Sequence, residues 1–217
     1  LAAIYVVNFL TVVMTILTSA DTISGEIGSG TIHTLASKPV QRWEILLGKW
    51  LGFAGMITIY LLIMAGGVMA VVYLRGGYLA PHPVRALALM ELNALLLLSV
   101  SILGGTYLST LANGVMVLGL YGVAFIGGWI EQIGSFIQSM STQQTTMNIG
   151  IITSLILPSE ALWKRAAFEL QAPFTSFLGA TPFATSVVPS DLTTGYAIAY
   201  LVVVLVIALR QFQQRDM

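Results

Sequence analysis

Residues 92–130, LNALLLLSVSILGGTYLSTLANGVMVLGLYGVAFIGGWI, form a run of 39 residues without a charged side chain. A single helix of that length would measure about 58 Å, whereas the hydrocarbon core of a bilayer is roughly 30 Å thick. The run is therefore too long for one crossing and long enough for two. We expect the dipeptide Asn113-Gly114 to divide it into two antiparallel spans.

The composition of the whole chain also indicates a membrane protein. Of the 217 residues, 57% are hydrophobic and 8% are charged, whereas a soluble domain carries about 25% charged residues. The mean hydropathy is +0.89. Nine basic and nine acidic residues give a net charge of zero, which argues against a nucleic-acid partner. Without cysteine, the sequence offers no disulfide and no thiolate metal site.

The gaps between charged residues predict an all-α protein with five transmembrane helices in a single transmembrane domain, residues 1–217. The predicted spans are residues 1–20, 50–74, 86–112, 115–138 and 192–209. Five basic residues fall on the predicted inner side and four on the outer side, so charge alone gives little information on orientation. Because the sequence starts inside an apolar run and without Met, we expect further sequence upstream, with a cleaved signal peptide as the alternative.

The outer region, residues 139–190, is predicted to be broken into short re-entrant or interfacial pieces. Four of the seven prolines fall there, and the apolar stretch 149–157 is too short to span a bilayer. Pro158 and the residues after it begin a short helix that runs to about Gln171. Its apolar and charged residues occupy opposite arcs, which predicts a helix that lies along the membrane surface.

The loop between the first two spans, residues 21–49, carries six of the 18 charged residues. Residues 23–52 read ISGEIGSGTIHTLASKPVQRWEILLGKWLG. Residues 31–37 could form a helix of about two turns, and Pro39 favours the start of a new helix, since proline suits the first helical position. Trp43 and Trp50 are expected to anchor that helix at the headgroup level.

This loop resembles the cytoplasmic loop of ABC type-2 exporter permeases. The matching residues are Glu26, Gly30-Thr31, Leu35, Pro39, Arg42 and Leu47-Gly48-Lys49. Gly28 departs from the pattern, because a second acidic residue is common there in the family. The closest match covers about 30 residues, and the five-span layout fits more loosely over the rest. Members usually have six spans, so the resemblance implies a further span that precedes Leu1.

The resemblance implies that the loop contains a coupling helix that docks on a separate ATP-binding subunit. We expect residues 31–37 to be the docking surface, braced by charged neighbours. The implied coupling residues are Glu26, Gly30, Thr31, Ile32, His33, Thr34, Pro39, Arg42 and Lys49. The other implied partners are a second permease copy or a close homologue and the lipid bilayer of the cell (inner) membrane. The chain itself is then a transport subunit and no enzyme, with ATP and Mg on the partner.

The sequence contains no P-loop, so ATP hydrolysis must occur on another chain. Glu91 and Glu131 are the acidic residues nearest to bilayer depth, and they are candidates for the translocation path or an outer gate. A structural role, with Arg85 or Lys164 as partner, is the alternative. Two other functions stay open: a membrane scaffold without a transport path, and a proton-coupled carrier that uses Glu91 and Glu131. His33 and His82 lie too far apart to share a metal ion, and no metal site is expected.

Overall fold

A computed structural model describes residues 1–25, 41–134, 140–171 and 189–214, without the side chains of residues 42 and 140–143. The described residues form seven α-helices and no strand, which confirms the predicted all-α class. In chain order the helices are α1 (Ala2–Ala20), α2 (Arg42–Gly76), α3 (Pro83–Tyr107), α4 (Thr110–Gly134), α5 (Met140–Ile156), α6 (Ser159–Leu170) and α7 (Asp191–Gln214).

Five of these helices, α1, α2, α3, α4 and α7, are long and apolar enough to cross a membrane. They correspond to the five spans predicted from the gaps between charges. Helix α2 has 35 residues and measures about 52 Å, so it extends beyond a hydrocarbon core of roughly 30 Å. The other four spans have 19 to 25 residues, close to the length of one crossing.

Helix α3 lies at the centre of the bundle. It packs against α1, α2, α4, α6 and α7. In its most apolar stretch 61% of the residues are buried, compared with 17% in α2. Apolar side chains all round α3, such as Leu96, Leu97 and Leu98, suit a helix that is surrounded by other helices. Large apolar side chains on α2 and α7, such as Ile63 and Val203, are exposed, as a surface in contact with lipid requires.

The turn between α3 and α4 lies at Leu108 and Ser109, so the predicted turn at Asn113-Gly114 is wrong. Leu108 has an extended backbone (φ −108°, ψ 158°). Helix α4 then begins at Thr110 and continues through Asn113 without interruption. Asn-Gly is a common turn pair, but here the asparagine lies inside a helix, where its side chain forms hydrogen bonds to other helices.

Asn113 connects three helices. Its side chain is fully buried, and its Nδ2 donates hydrogen bonds to the carbonyl oxygens of Ala20 at 3.2 Å and Ser101 at 2.9 Å. Gly104 on α3 makes room for the amide, since a Cβ at that position would lie 2.1 Å from Asn113 Oδ1. A polar side chain that satisfies buried carbonyl groups therefore replaces the expected turn residue.

Helix α2 begins at Arg42 rather than at Pro39, which lies outside the described residues. Gln41 has an extended backbone (φ −72°, ψ 142°) and is the N-cap. Its backbone N–H donates a hydrogen bond to Glu44 Oε2 at 3.0 Å, as in a capping box. The start of the helix is thus set by the Gln41–Glu44 contact.

In the described part of residues 139–190 there are two helices, α5 and α6, and neither is among the five candidate spans. A single helix, α5, covers both the polar stretch and the short apolar stretch predicted at residues 139–157. It runs antiparallel to α4, with Thr153 against Gly127 and Thr146 against Gly134. The two helices form a close hairpin because glycine on α4 leaves space for side chains of α5.

Helix α6 matches the predicted short helix in position, but its charged side is not exposed to the membrane surface. Glu160, Lys164 and Glu169 are 8%, 4% and 6% exposed. The helix packs against α3, α4, α5 and α7. The expectation of an exposed charged arc is wrong here because the charged side chains lie inside the protein, which periodicity alone does not reveal.

Candidate functional site

Most of the coupling residues implied by the resemblance lie outside the described part of the chain. These are Glu26, Gly30, Thr31, Ile32, His33, Thr34 and Pro39. Arg42 is the first residue of α2, but its side chain is not described. Lys49 is described and lies in α2, about two turns after the helix start. The docking role of this segment therefore stays a prediction.

Lys49 joins the two ends of the coupling segment, which we define as residues 21–49. Its Nζ donates a hydrogen bond to the carbonyl oxygen of Thr22 at 3.0 Å. Thr22 lies in the turn that follows α1. Carbonyl groups at the C-terminal end of a helix lack partners within the helix and carry a partial negative charge, so an ammonium group there is favourable. The exit of α1 and the entry of α2 are held together by this contact.

The same end of α1 is bound to the start of α4. Thr110 Oγ1 donates a hydrogen bond to Asp21 Oδ1 at 2.8 Å, and it lies 2.9 Å from Ser24 Oγ. Gly25 leaves room for the Asp21 carboxylate, since a Cβ at Gly25 would lie 2.1 Å from Asp21 Oδ1. These polar contacts fix the first five residues of the coupling segment against the bundle.

An apolar cluster completes this end of the protein. Ile23, Leu46, Ile102 and Phe212 are buried together, with 0–1% of each residue exposed. They come from the turn after α1, from the start of α2 and from the last turns of α3 and α7. The two ends of the coupling segment are thus packed together against the last turns of α3 and α7.

The opposite end of the bundle contains a buried ion pair. Lys164 Nζ on α6 lies 2.6 Å from Glu131 Oε2 on α4, and the two side chains are 5% and 13% exposed. Lys164 is one of the two partners that the sequence offered to this carboxylate. The pair joins a spanning helix to a short outer helix, and its geometry is compatible with the structural role or the gate role.

Glu160 lies beside this pair and was not identified from the sequence as a buried acid. Burial raises the pKa of its carboxyl to about 7, Lys164 opposes the shift, and Glu131 adds to it. Glu160 therefore changes its charge near neutral pH. Gly128 on α4 lies against its side chain, since a Cβ at that position would lie 2.1 Å from Glu160 Cγ.

Glycine residues on neighbouring helices leave room for the side chains of Glu131 and Glu160. At Gly150 on α5, a Cβ would lie 2.3 Å from Glu131 Oε2 and 2.9 Å from Glu131 Cβ. The close approach of α5 to Glu131 is possible only because this side chain is absent. The glycines opposite Glu131 and Glu160 were a signal in the sequence, but their partners are distant along the chain and could not be assigned.

Arg165 links α6 to the start of α7. One of its terminal nitrogens, Nη2, lies 2.7 Å from Asp191 Oδ1, and Nη1 donates a hydrogen bond to the Pro189 carbonyl oxygen at 3.1 Å. Nε lies 3.5 Å from Glu169 Oε1. This arginine fixes the position at which the last span begins.

Glu91 lies apart from Glu131 and lines a cavity of about 730 Å³ between α3, α6 and α7. Thr58 Oγ1 on α2 donates a hydrogen bond to Glu91 Oε1 at 2.9 Å. In the described part of the chain, the other oxygen, Oε2, is buried without a partner. The two acids selected from the sequence therefore occupy different surroundings, and only Glu131 has an ion-pair partner among the described residues.

Comparison with protein families gives one match over nearly the whole chain. Residues 2–217 match the family described as ABC-2 family transporter protein. No match is found among curated proteins. The match agrees with the five apolar helices, and the family consists of membrane subunits that act with an ABC ATP-binding subunit. The chain therefore belongs to the ABC-2 family of transporter proteins, as a multi-pass permease subunit of an ABC transporter.

Proposed function

We propose that this chain forms the membrane pathway of an ATP-driven exporter, together with a second permease copy or a close homologue. The family match over residues 2–217 is the observation that carries the proposal. ATP and Mg²⁺ bind to the partner subunit, because the sequence of this chain contains no P-loop. The chain lies in the cell (inner) membrane, and its coupling segment faces the cytoplasm. The partner and ATP are present on that side.

Residues 31–37 are the proposed docking surface, with Glu26, Arg42 and Lys49 as its braces. Support comes from the anchoring of the segment at both ends. Lys49 donates a hydrogen bond to the Thr22 carbonyl oxygen, and Thr110 donates one to the Asp21 carboxylate. Closure of two nucleotide-bound partner subunits displaces the docking surface, and these contacts pass the displacement to α1, α2 and α4. Packed helices change between discrete arrangements rather than deforming gradually, so such a displacement favours one state of the pathway over another.

The test is association with the ATP-binding subunit and ATP-driven transport in reconstituted vesicles. Tryptophan at Ile32, His33 or Thr34 is expected to abolish both, because a bulky side chain prevents close docking. His82→Trp is the matched control, since His82 is an exposed histidine at the other end of the bundle. If the three variants bind the partner and transport as well as the control does, the docking assignment is wrong.

Two other outcomes of the transport experiment would contradict the exporter function itself. Transport that needs a proton gradient and proceeds without ATP would replace the proposal with a carrier that uses Glu91 and Glu131. A tight dimer with no ATPase partner and no transport would replace it with a scaffold.

A further inference from the structure

The cavity beside Glu91 has a composition that selects for a particular class of ligand. It is lined by apolar side chains of α3 and α7, including Leu92, Leu95 and Ile198, and by charged residues at its outer end. Glu91 stands between these two parts. A site with apolar walls and few polar groups is typical of small-molecule binding.

The charges of the cavity do not balance. Arg165 is occupied by Asp191 and Glu169, at 2.7 and 3.5 Å, so two carboxylates share one guanidinium. The remaining lining charges are Glu91 and Arg85. Three acids face two bases, which leaves the site one negative charge in excess. An excess negative charge among apolar walls favours a cation, because such walls screen charge poorly.

Arg85 does not neutralise Glu91. It lies in the exposed first turn of α3, six residues before Glu91, which corresponds to about 9 Å along the helix axis. Within the described ranges Arg85 makes no ion pair. Glu91 has Thr58 on one oxygen, while no described donor reaches Oε2. A buried acceptor without a donor is unfavourable, and a ligand ammonium group supplies that donor when the Glu91 carboxylate turns toward the cavity.

We propose that this cavity binds an organic cation with an apolar body, such as a long-chain primary amine. The ammonium group donates to Glu91, and the alkyl chain lies against Leu92, Leu95 and Ile198. The proposal goes beyond the exporter function and does not depend on it, because binding requires neither ATP nor the docking surface.

The absence of cysteine from the sequence allows a direct test. Thr194→Cys places one thiol in the wall of this cavity, and Thr193→Cys places one in the wall of the neighbouring cavity. Membranes that contain the full chain with its natural partners are treated with N-ethylmaleimide, and labelling is measured on the purified chain by mass spectrometry. Dodecylamine is the probe, and 1-dodecanol is its uncharged equivalent.

Dodecylamine is expected to slow the labelling of Thr194→Cys and not of Thr193→Cys, and 1-dodecanol is expected to protect neither. Glu91→Gln keeps the shape of the side chain and an oxygen for Thr58. It is expected to raise the half-protecting concentration of dodecylamine about tenfold, which corresponds to about 1.4 kcal/mol. Arg85→Gln is expected to lower that concentration, because it removes a positive charge near the ligand.

Three results would overturn the proposal. Equal protection by 1-dodecanol would mean that the cavity accepts any alkyl chain, including a lipid tail. Equal protection of both cysteines would mean that the amine acts through the bilayer. Unchanged protection in Glu91→Gln would mean that the carboxylate does not bind the cation. If Glu91→Gln alters the labelling rate in the absence of amine, that variant cannot be compared with the parent, and Arg85→Gln is used in its place. A result in which dodecylamine protects Arg85→Gln no better than the parent then contradicts the proposal.

Discussion

The buried carboxyl of Glu160 is expected to make the stability of the fold depend on pH. Burial raises its pKa from the ordinary value of 4.5 to about 7. The folded state therefore holds this proton more tightly than the unfolded state does. The resulting stabilisation is fully present below pH 4.5 and is lost as the pH rises to about 7. The difference between the two pKa values corresponds to about 3 kcal/mol.

Glu160→Gln removes this titration, because glutamine stays neutral. Relative to the parent chain, the variant is expected to gain about 3 kcal/mol between pH 4.5 and pH 8. In a chain of this size 1 kcal/mol moves Tm by about 2–4 °C, so the difference in Tm should grow by roughly 6–12 °C. Thermal unfolding in detergent, followed by circular dichroism at both pH values, measures it.

Glu44→Gln is the matched control for this experiment. Glu44 is exposed in the first turn of α2, and glutamine can also accept the hydrogen bond of the capping box. Its Tm is expected to stay within about 1–2 °C of the parent at both pH values, because a substitution at an exposed position usually changes stability by less than about 0.5 kcal/mol. If the Glu160→Gln difference is also constant with pH, the carboxyl does not titrate in the folded protein near neutrality, and the reasoning from its burial is refuted.

Three further substitutions test the packing of the bundle by the same unfolding measurement. Lys164→Met is expected to cost about 3 kcal/mol at pH 8, and the double variant with Glu131→Gln should recover most of it, because the lone carboxylate is then removed. Gly150→Ala is expected to cost about 1–3 kcal/mol from overlap with Glu131, whereas Gly119→Ala, with open space around it, should be neutral or stabilising. Asn113→Ala is expected to cost about 2 kcal/mol, since two buried carbonyl groups lose a donor; a cost near zero would mean that water replaces the amide.

The spans were predictable from the sequence because the bilayer imposes a length. Charged residues end the apolar runs near Asp21, Arg75 and Arg210, and the helices end close to these positions. The family could also be predicted, since the residues of the loop pattern around Pro39 and Lys49 lie close together in the sequence. The two signals that were interpreted correctly, the lengths of the apolar runs and the pattern of the loop, both depend only on residues close together in the sequence.

Contacts between distant residues were not predictable in the same way. Asn113 looked like a turn residue because its partners, Ala20 and Ser101, are fixed only by the packing of three helices. The charged residues of α6 looked like a surface arc, because nothing near Glu160 in the sequence shows that Gly128 will cover it. The ion pair of Lys164 could be named only as one of two possibilities.

The length of α2 has a geometric consequence for the residues that precede it. At about 52 Å the helix still covers about 40 Å along the bilayer normal when it is tilted by 40°, near the upper end of usual tilts. At least one end therefore stands in the headgroup region or in water. A change of 10° in tilt about one end moves the other end by about 9 Å, close to the diameter of a helix. Small angular adjustments near Gly76 thus become large translations near Arg42.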